Sequence, residues 1–222
     1  MNIIESLNSY LPTYEVVLPF SKKSMSFTPF KVKDIKNLTI VLEEENKKLA
    51  FFAMISILKN CVTSNKDEIL NLCLADAEYL FLHIRSKSVD EVLNLIVDDE
   101  KVKLNINEIQ TKNNVNEEVI NLSNSISIEL KTPTVKDLLN LNLFEKEDFV
   151  KACIKKIILK NEIYQINKFV PNELKDVLDN LPISFLTKVD AFIDNQPSLF
   201  AKIKLGDDER EVSGMLNFFT YQ

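Results

Sequence analysis

The stretch Asp98-Asp-Glu-Lys-Val-Lys-Leu-Asn-Ile-Asn107 changes the rhythm of the chain. Before it, apolar residues recur every three or four positions. Within it, Val102, Leu104 and Ile106 alternate with Lys103, Asn105 and Asn107, the period of a half-buried strand. The alternation returns at Ile126, Ile128 and Leu130, separated by Ser127 and Glu129, until Pro133 closes it. Between the two runs lies the polar, Asn-rich stretch Gln110–Glu118. Read as a loop, it makes the runs an antiparallel pair with one face in water.

Toward the N-terminus, Ile69–Val97 reads as helix. Ala77, Leu80, Phe81, Ile84 and Ser88 share one face, and Leu72, Tyr79, Leu82 and Ile96 add apolar surface elsewhere, which marks a central element. Ser86–Asp90 offers a cap or short break before a further helical piece, Glu91–Val97. Earlier still, Asp34 precedes a stripe of Ile35, Leu38 and Leu42. After the polar block Glu43–Lys48 the stripe resumes at Phe51, Ile55, Leu58 and Val62, as one long helix or two broken near Asn46. Tyr14–Phe30 alternates on both sides of Pro19–Lys23 and reads as a hairpin with an exit at Pro29.

Toward the C-terminus, three helical stripes follow: Phe149, Cys153 and Ile157; Leu174, Val177 and Leu178; Phe185, Val189, Phe192 and Ile193. Pro171 and Pro182 stand at helix boundaries. Ala201, Ile203 and Leu205 alternate again before a turn at Gly206–Asp208. The ending, Gly214-Met-Leu-Asn-Phe-Phe-Thr-Tyr-Gln222, needs a surface to cover it, either its own core or a partner. The expected fold is α+β: a predominantly helical single domain with antiparallel hairpins near the N-terminus, mid-chain and C-terminus. The elements are a hairpin at 14–30, helices at 34–97, a hairpin at 100–132, helices at 136–195, and a hairpin and tail at 199–222. The best candidate for an internal boundary is Gln110–Glu118, but its place inside a hairpin keeps the chain as one domain.

The chain has 222 residues, 45% apolar and 27% charged, which is ordinary globular composition. Its 27 basic and 33 acidic side chains leave a net charge of −6, which argues against nucleic acid or an anionic membrane as partner. No apolar run approaches a membrane span, and no basic segment precedes the first apolar residues, so the chain is expected to stay in the cytosol where it is made.

The residues needed for familiar chemistry are scarce. With glycine only at 206 and 214, neither a phosphate-binding Gly-rich loop nor a nucleophile elbow can form. His83 is the single histidine, and Cys61, Cys73 and Cys153 lie in apolar segments, where they read as buried free thiols. No catalytic residue, metal site or cofactor is assigned. The pairs Asp98/Asp99 and Asp207/Asp208 read as turn residues. Arginine occurs only at 85 and 210 in a lysine-rich chain. Arg85 is thus either an internal clamp using its planar fork or a snorkelling helix residue. What remains is the profile of a protein that binds proteins.

Three stretches carry a resemblance. They are Val17-Leu-Pro-Phe-Ser-Lys-Lys-Ser-Met-Ser-Phe-Thr-Pro-Phe-Lys-Val-Lys-Asp-Ile-Lys-Asn-Leu38, Asp76-Ala-Glu-Tyr-Leu-Phe-Leu-His-Ile-Arg-Ser-Lys-Ser-Val-Asp-Glu91, and Leu181-Pro-Ile-Ser-Phe-Leu-Thr-Lys-Val-Asp-Ala-Phe-Ile-Asp-Asn-Gln-Pro197 with the Gly214–Phe219 ending. Together they resemble the baseplate hub subunits of T-even-like contractile-tailed bacteriophages. Asp76, Tyr79, Phe81, Arg85, Ser88 and Glu91 match the family's helix motif, with Asp90 where the motif has glycine. Relatives carry Cys-x-x-Cys pairs in two hairpins; here Ile96–Lys101 and Leu205–Arg210 occupy those places without cysteine.

The resemblance implies a non-enzymatic hub component or hub-assembly factor. Its partners would be other tail or baseplate hub proteins, and it would be found in the host cytoplasm during assembly or in the virion tail baseplate. Leu216, Phe218, Phe219 and Tyr221 are candidate partner-binding residues. The alternatives are a peptidoglycan-cleaving tail hydrolase, which requires a pocket carboxylate with a raised pKa, and a regulatory module that binds a host protein.

Overall fold

The computed structural model describes residues 10–43, 46–139, 141, 145–160, 162–169, 171–214 and 218. The chain divides into two compact units: Met1–Lys112 with Ser198–Gln222, and Asn113–Pro197. The division falls inside the polar stretch Gln110–Glu118.

In the first unit, β1 (Tyr14–Val17) and β2 (Ser24–Phe27) form the expected N-terminal hairpin. Two helices follow, α1 (Val32–Glu43) and α2 (Lys47–Cys61). They are separate because the Asn46 side chain accepts from the Leu49 amide at 3.1 Å and caps α2. A short 3-10 turn, Lys66–Asn71, leads to α3 (Leu74–Ser88), which buries Ala75, Ala77, Leu80, Phe81, Leu82 and Ile84. Next come β3 (Val92–Val97), β4 (Glu100–Asn105) and β5 (Gln110–Lys112). The unit is completed from the far end of the chain by β10 (Ser198–Leu205) and β11 (Asp208–Ser213). β3 pairs with β4, and the other sheet has the order β11-β10-β5. Leu93, Leu95, Leu104, Leu199, Ala201 and Ile203 pack together with Leu82 of α3.

The second unit is one antiparallel sheet of β6 (Glu117–Ser123), β7 (Ile126–Lys131), β8 (Ile154–Leu159) and β9 (Glu162–Gln165), in that order. Its helices are α4 (Val135–Leu138), α5 (Lys146–Cys153), α6 (Pro171–Asp179) and α7 (Ile183–Asp194). The stripe Phe185, Val189 and Phe192 packs against Ile120, Ile128, Leu130 and Ile157 of the sheet. Thr134 and Asp137 form a reciprocal capping box on α4, and Lys131 Nζ lies 2.7 Å from Asp137.

The chain is α+β but not predominantly helical, for it has eleven strands in four sheets among the described residues. Two segments account for the difference. Glu91–Val97 reads as a helical continuation, yet α3 ends at Ser88 and Val92–Val97 becomes a strand. Leu93 and Leu95 point inward and Asn94 and Ile96 outward, the period of two that defines a strand. Likewise Ile157 fits the helical stripe of Phe149 and Cys153, but α5 stops at Cys153. The run Ile-Lys-Lys-Ile-Ile-Leu, with three β-branched isoleucines, then forms β8.

The expected hairpin at 100–132 is also corrected. Val102 and Leu104 pair with Leu95 and Leu93, not with Ile126–Leu130. Asp98 and Asp99, at φ 50° and 65°, make the two-residue connection that lets β3 and β4 pair. β7 in turn pairs with β6 and β8. Leu130 faces Ile154 while Glu129 faces Lys156, so Lys155 is the extra residue of a bulge.

Candidate functional site

The matched motif occupies α3, and its polar residues hold the chain segment around the N-terminal hairpin. The hairpin turn is tight: Leu18 accepts from Lys22 N–H at 3.2 Å, and Lys22 sits at φ 59°. These turn bonds do not use the amides of Phe20 and Ser21, which are left in need of an acceptor. Asp76 supplies it. Its two carboxylate oxygens accept from Phe20 N–H at 3.0 Å and Ser21 N–H at 2.8 Å, and the residue is 0% exposed. Its place in the first turn of α3 adds the favourable end of the helix dipole.

At the other end of α3, about 18 Å away by helical rise, Ser88 performs the matching task. Its hydroxyl accepts from Phe30 N–H at 2.7 Å and donates to the Ile84 carbonyl at 2.6 Å. Phe81 lies between them, buried, with its ring 5.5 Å from that of Phe30. The motif therefore grips the segment Phe20–Phe30 at both ends, through Asp76 at one and through Ser88 and Phe81 at the other. The hairpin is held on its other side too, where Thr63 N–H donates to Ser26 O at 2.8 Å and Thr28 N–H to Cys61 O at 2.9 Å.

The remaining motif residues, Tyr79, Arg85 and Glu91, are half-buried. Arg85 is half-buried and donates from Nη1 to the Asp90 carbonyl at 3.3 Å, across the connection from α3 to β3. Glu91 pairs with Lys87 at 2.8 Å, which holds its carboxyl below the usual range. Tyr79 packs its ring 4.4 Å from His83, and burial, with Lys87 nearby, lowers the pKa of that imidazole.

Phe218 is 1% exposed and packs with Leu82, Leu93 and Leu199 of its own unit. Leu216, Phe219 and Tyr221 lie outside the described residues. Cys61, Cys73 and Cys153 are buried and unpaired, and burial pushes each thiol up to about 12. Among the described residues, no group of three or more His, Cys, Asp or Glu side chains is arranged to hold a metal ion, and no helix is long and apolar enough to cross a membrane.

One anchor is not evident in the sequence. Asp34 is 1% exposed and accepts from Lys31 N–H at 3.0 Å and from Asn60 Nδ2 at 2.9 Å. Its position before an apolar run signals the local bond, a helix-entry cap. The bond to Asn60, 26 residues away, has no local signal.

The second unit contains a cavity of about 570 Å³, walled by Val150, Leu178, Leu181 and Phe185, with Ile183 and Leu186 exposed at its edge. Glu147 lines it, and the Lys151 ammonium at 2.8 Å lowers the Glu147 pKa. A glycosidase-type general acid needs a shift in the opposite direction.

The motif thus builds an internal scaffold within the first unit, between Leu18 and Glu91; the comparison with known families extends further. A family model described as T4 bacteriophage base plate protein matches residues 11–220. No curated protein and no solved structure matches the chain at a significant level. A match that takes in both units, the hairpin, the α3 motif and the C-terminal strands shows that the chain belongs to the T4 bacteriophage base plate protein family.

Proposed function

We propose that this chain is a subunit or assembly factor of the central hub of a contractile-tail baseplate, acting through protein–protein contacts rather than catalysis. The observation that carries the reading is the use made of the motif. Asp76 and Ser88 spend their hydrogen bonds on backbone amides of the same chain, so the residues that define the likeness shape a scaffold. Baseplate family membership supports a structural role in the tail. Exposed apolar side chains such as Ile183 and Val32, at 83% and 74%, supply surface that another chain can cover.

The test is affinity purification of the tagged chain from phage-infected cells, with mass spectrometry of what accompanies it. Hub or tape-measure proteins are expected. Recovery of wedge proteins alone, or of the chain by itself, overturns the hub reading.

A further inference from the structure

In the second unit β9 has β8 on one side and, among the described residues, no strand on the other. Leu159 and Glu162 face each other across a two-residue connection that begins with Lys160 at φ 48°. Such a pair closes a hairpin with mutual hydrogen bonds, and bonded and non-bonded pairs alternate from there. Glu162 and Tyr164 therefore direct their backbone groups toward β8. Ile163 and Gln165 direct theirs outward, to the side where no described strand lies.

All four β9 residues are exposed, Ile163 at 59%. Open edges are usually guarded by lysine, proline or a bulge. Glu162-Ile-Tyr-Gln165 has none of these, and its one charge accepts a hydrogen bond from the Tyr164 hydroxyl. The opposite edge of the sheet, β6, begins with Glu117 and Glu118.

We propose that β9 is a self-association edge, pairing antiparallel with β9 of a second copy about a two-fold axis at Tyr164. Only residues with outward backbone groups can exchange hydrogen bonds. This sets Ile163 of each copy opposite Gln165 of the other, with four bonds in all, and places Tyr164 opposite its counterpart as the closer, non-bonded pair. No like charges oppose each other in this register, whereas an edge carrying adjacent glutamates would be harder to pair. Tyr164 lies in the row of Ile157 and Ile128, which are 7% and 0% exposed. Pairing therefore continues an apolar row across the axis and joins two four-stranded sheets into one of eight strands. Because the contact is isologous, it closes at two copies.

The test uses the purified full chain, independent of any tail partner. Tyr164→Cys places two thiols on the axis with Cα atoms about 4.5 Å apart, within disulfide reach. Mild oxidation should give a disulfide-linked dimer much faster than Tyr10→Cys, an exposed control at 84%. Ile163→Pro removes an outward N–H without breaking the β8 ladder and should weaken dimerisation about tenfold or more, with an unchanged circular-dichroism melt. A wild-type chain that sediments as a monomer up to about 100 μM overturns the proposal, including the case in which the edge takes a strand from a different protein. Equal crosslinking of the two cysteine variants overturns it as well.

Discussion

The carboxylate of Asp76 and the amide of Ser21 lie 2.8 Å apart across 55 positions of sequence. A second amide, that of Phe20, reaches the other oxygen of the same group. One side chain therefore ties the turn of the N-terminal hairpin to the first turn of α3.

Asp76→Asn should destabilise the first unit by about 2 kcal/mol, because the amide keeps one acceptor oxygen and turns an N–H₂ toward the other backbone donor. Ser88→Ala should cost about 1 kcal/mol by leaving the Phe30 amide unpaired. Urea unfolding followed by circular dichroism measures both. Equal midpoints for Asp76→Asn and the wild type would remove the clamp.

Phe218→Ala should cost about 3–4 kcal/mol, the range for emptying a buried aromatic site. The measurement is a thermal melt of the full-length variant. A melt unchanged from wild type would show that Phe218 is free to serve a partner instead.

The three thiols should be silent toward a thiol reagent in the native state at pH 8 and should all react in denaturant, since each is buried and raised to about 12. These groups favour the protonated, folded form. Their contribution is complete below the unfolded value of 9.0 and declines as pH rises toward 12, by up to about 1.4 kcal/mol per pH unit per thiol. Urea midpoints at pH 7 and pH 10 test the sign.

Glu129 sits 2.7 Å from both Lys155 and Lys156, because the bulge places two successive lysines on one face of the sheet. Hydrogen bonds from Lys155 and then Lys156 lower its pKa. The stabilisation is therefore present above the ordinary 4.5 and is lost as pH falls through the lowered value. Both lysines are partly exposed, so Glu129→Gln should cost no more than about 1 kcal/mol, and less in high salt. An acid titration of stability for the two chains should converge at low pH.

The periodic signals that were legible were those without a competitor. Tyr14–Val17 and Ser24–Phe27 alternate about a polar turn and form the hairpin; α2, α3 and α7 present the faces their spacing implies. The misread segments were those where both periods fit. Cys153 and Ile157 stand four apart, as a helix requires, yet a bulged strand also carries Ile157 inward. Strand partners were not legible, since alternation shows that a strand has an inner face and not which strand lies beside it. Within the motif, Asp76 and Ser88 were recognised by pattern, but their partners Phe20, Ser21 and Phe30 lie more than 50 positions away and only the fold brings them together.

Ser198 faces Lys112 directly in the pairing of β10 with β5. Residues 113–197 therefore leave the first unit and return to it at neighbouring positions of one ladder, as the loop of a very long hairpin. During synthesis the first unit must wait for its last strands until the whole inserted unit has left the ribosome, while the inserted unit can fold as soon as it is made. The same adjacency makes it removable: a two-residue Asn-Gly connection between Lys112 and Ser198 has the geometry to close the host alone.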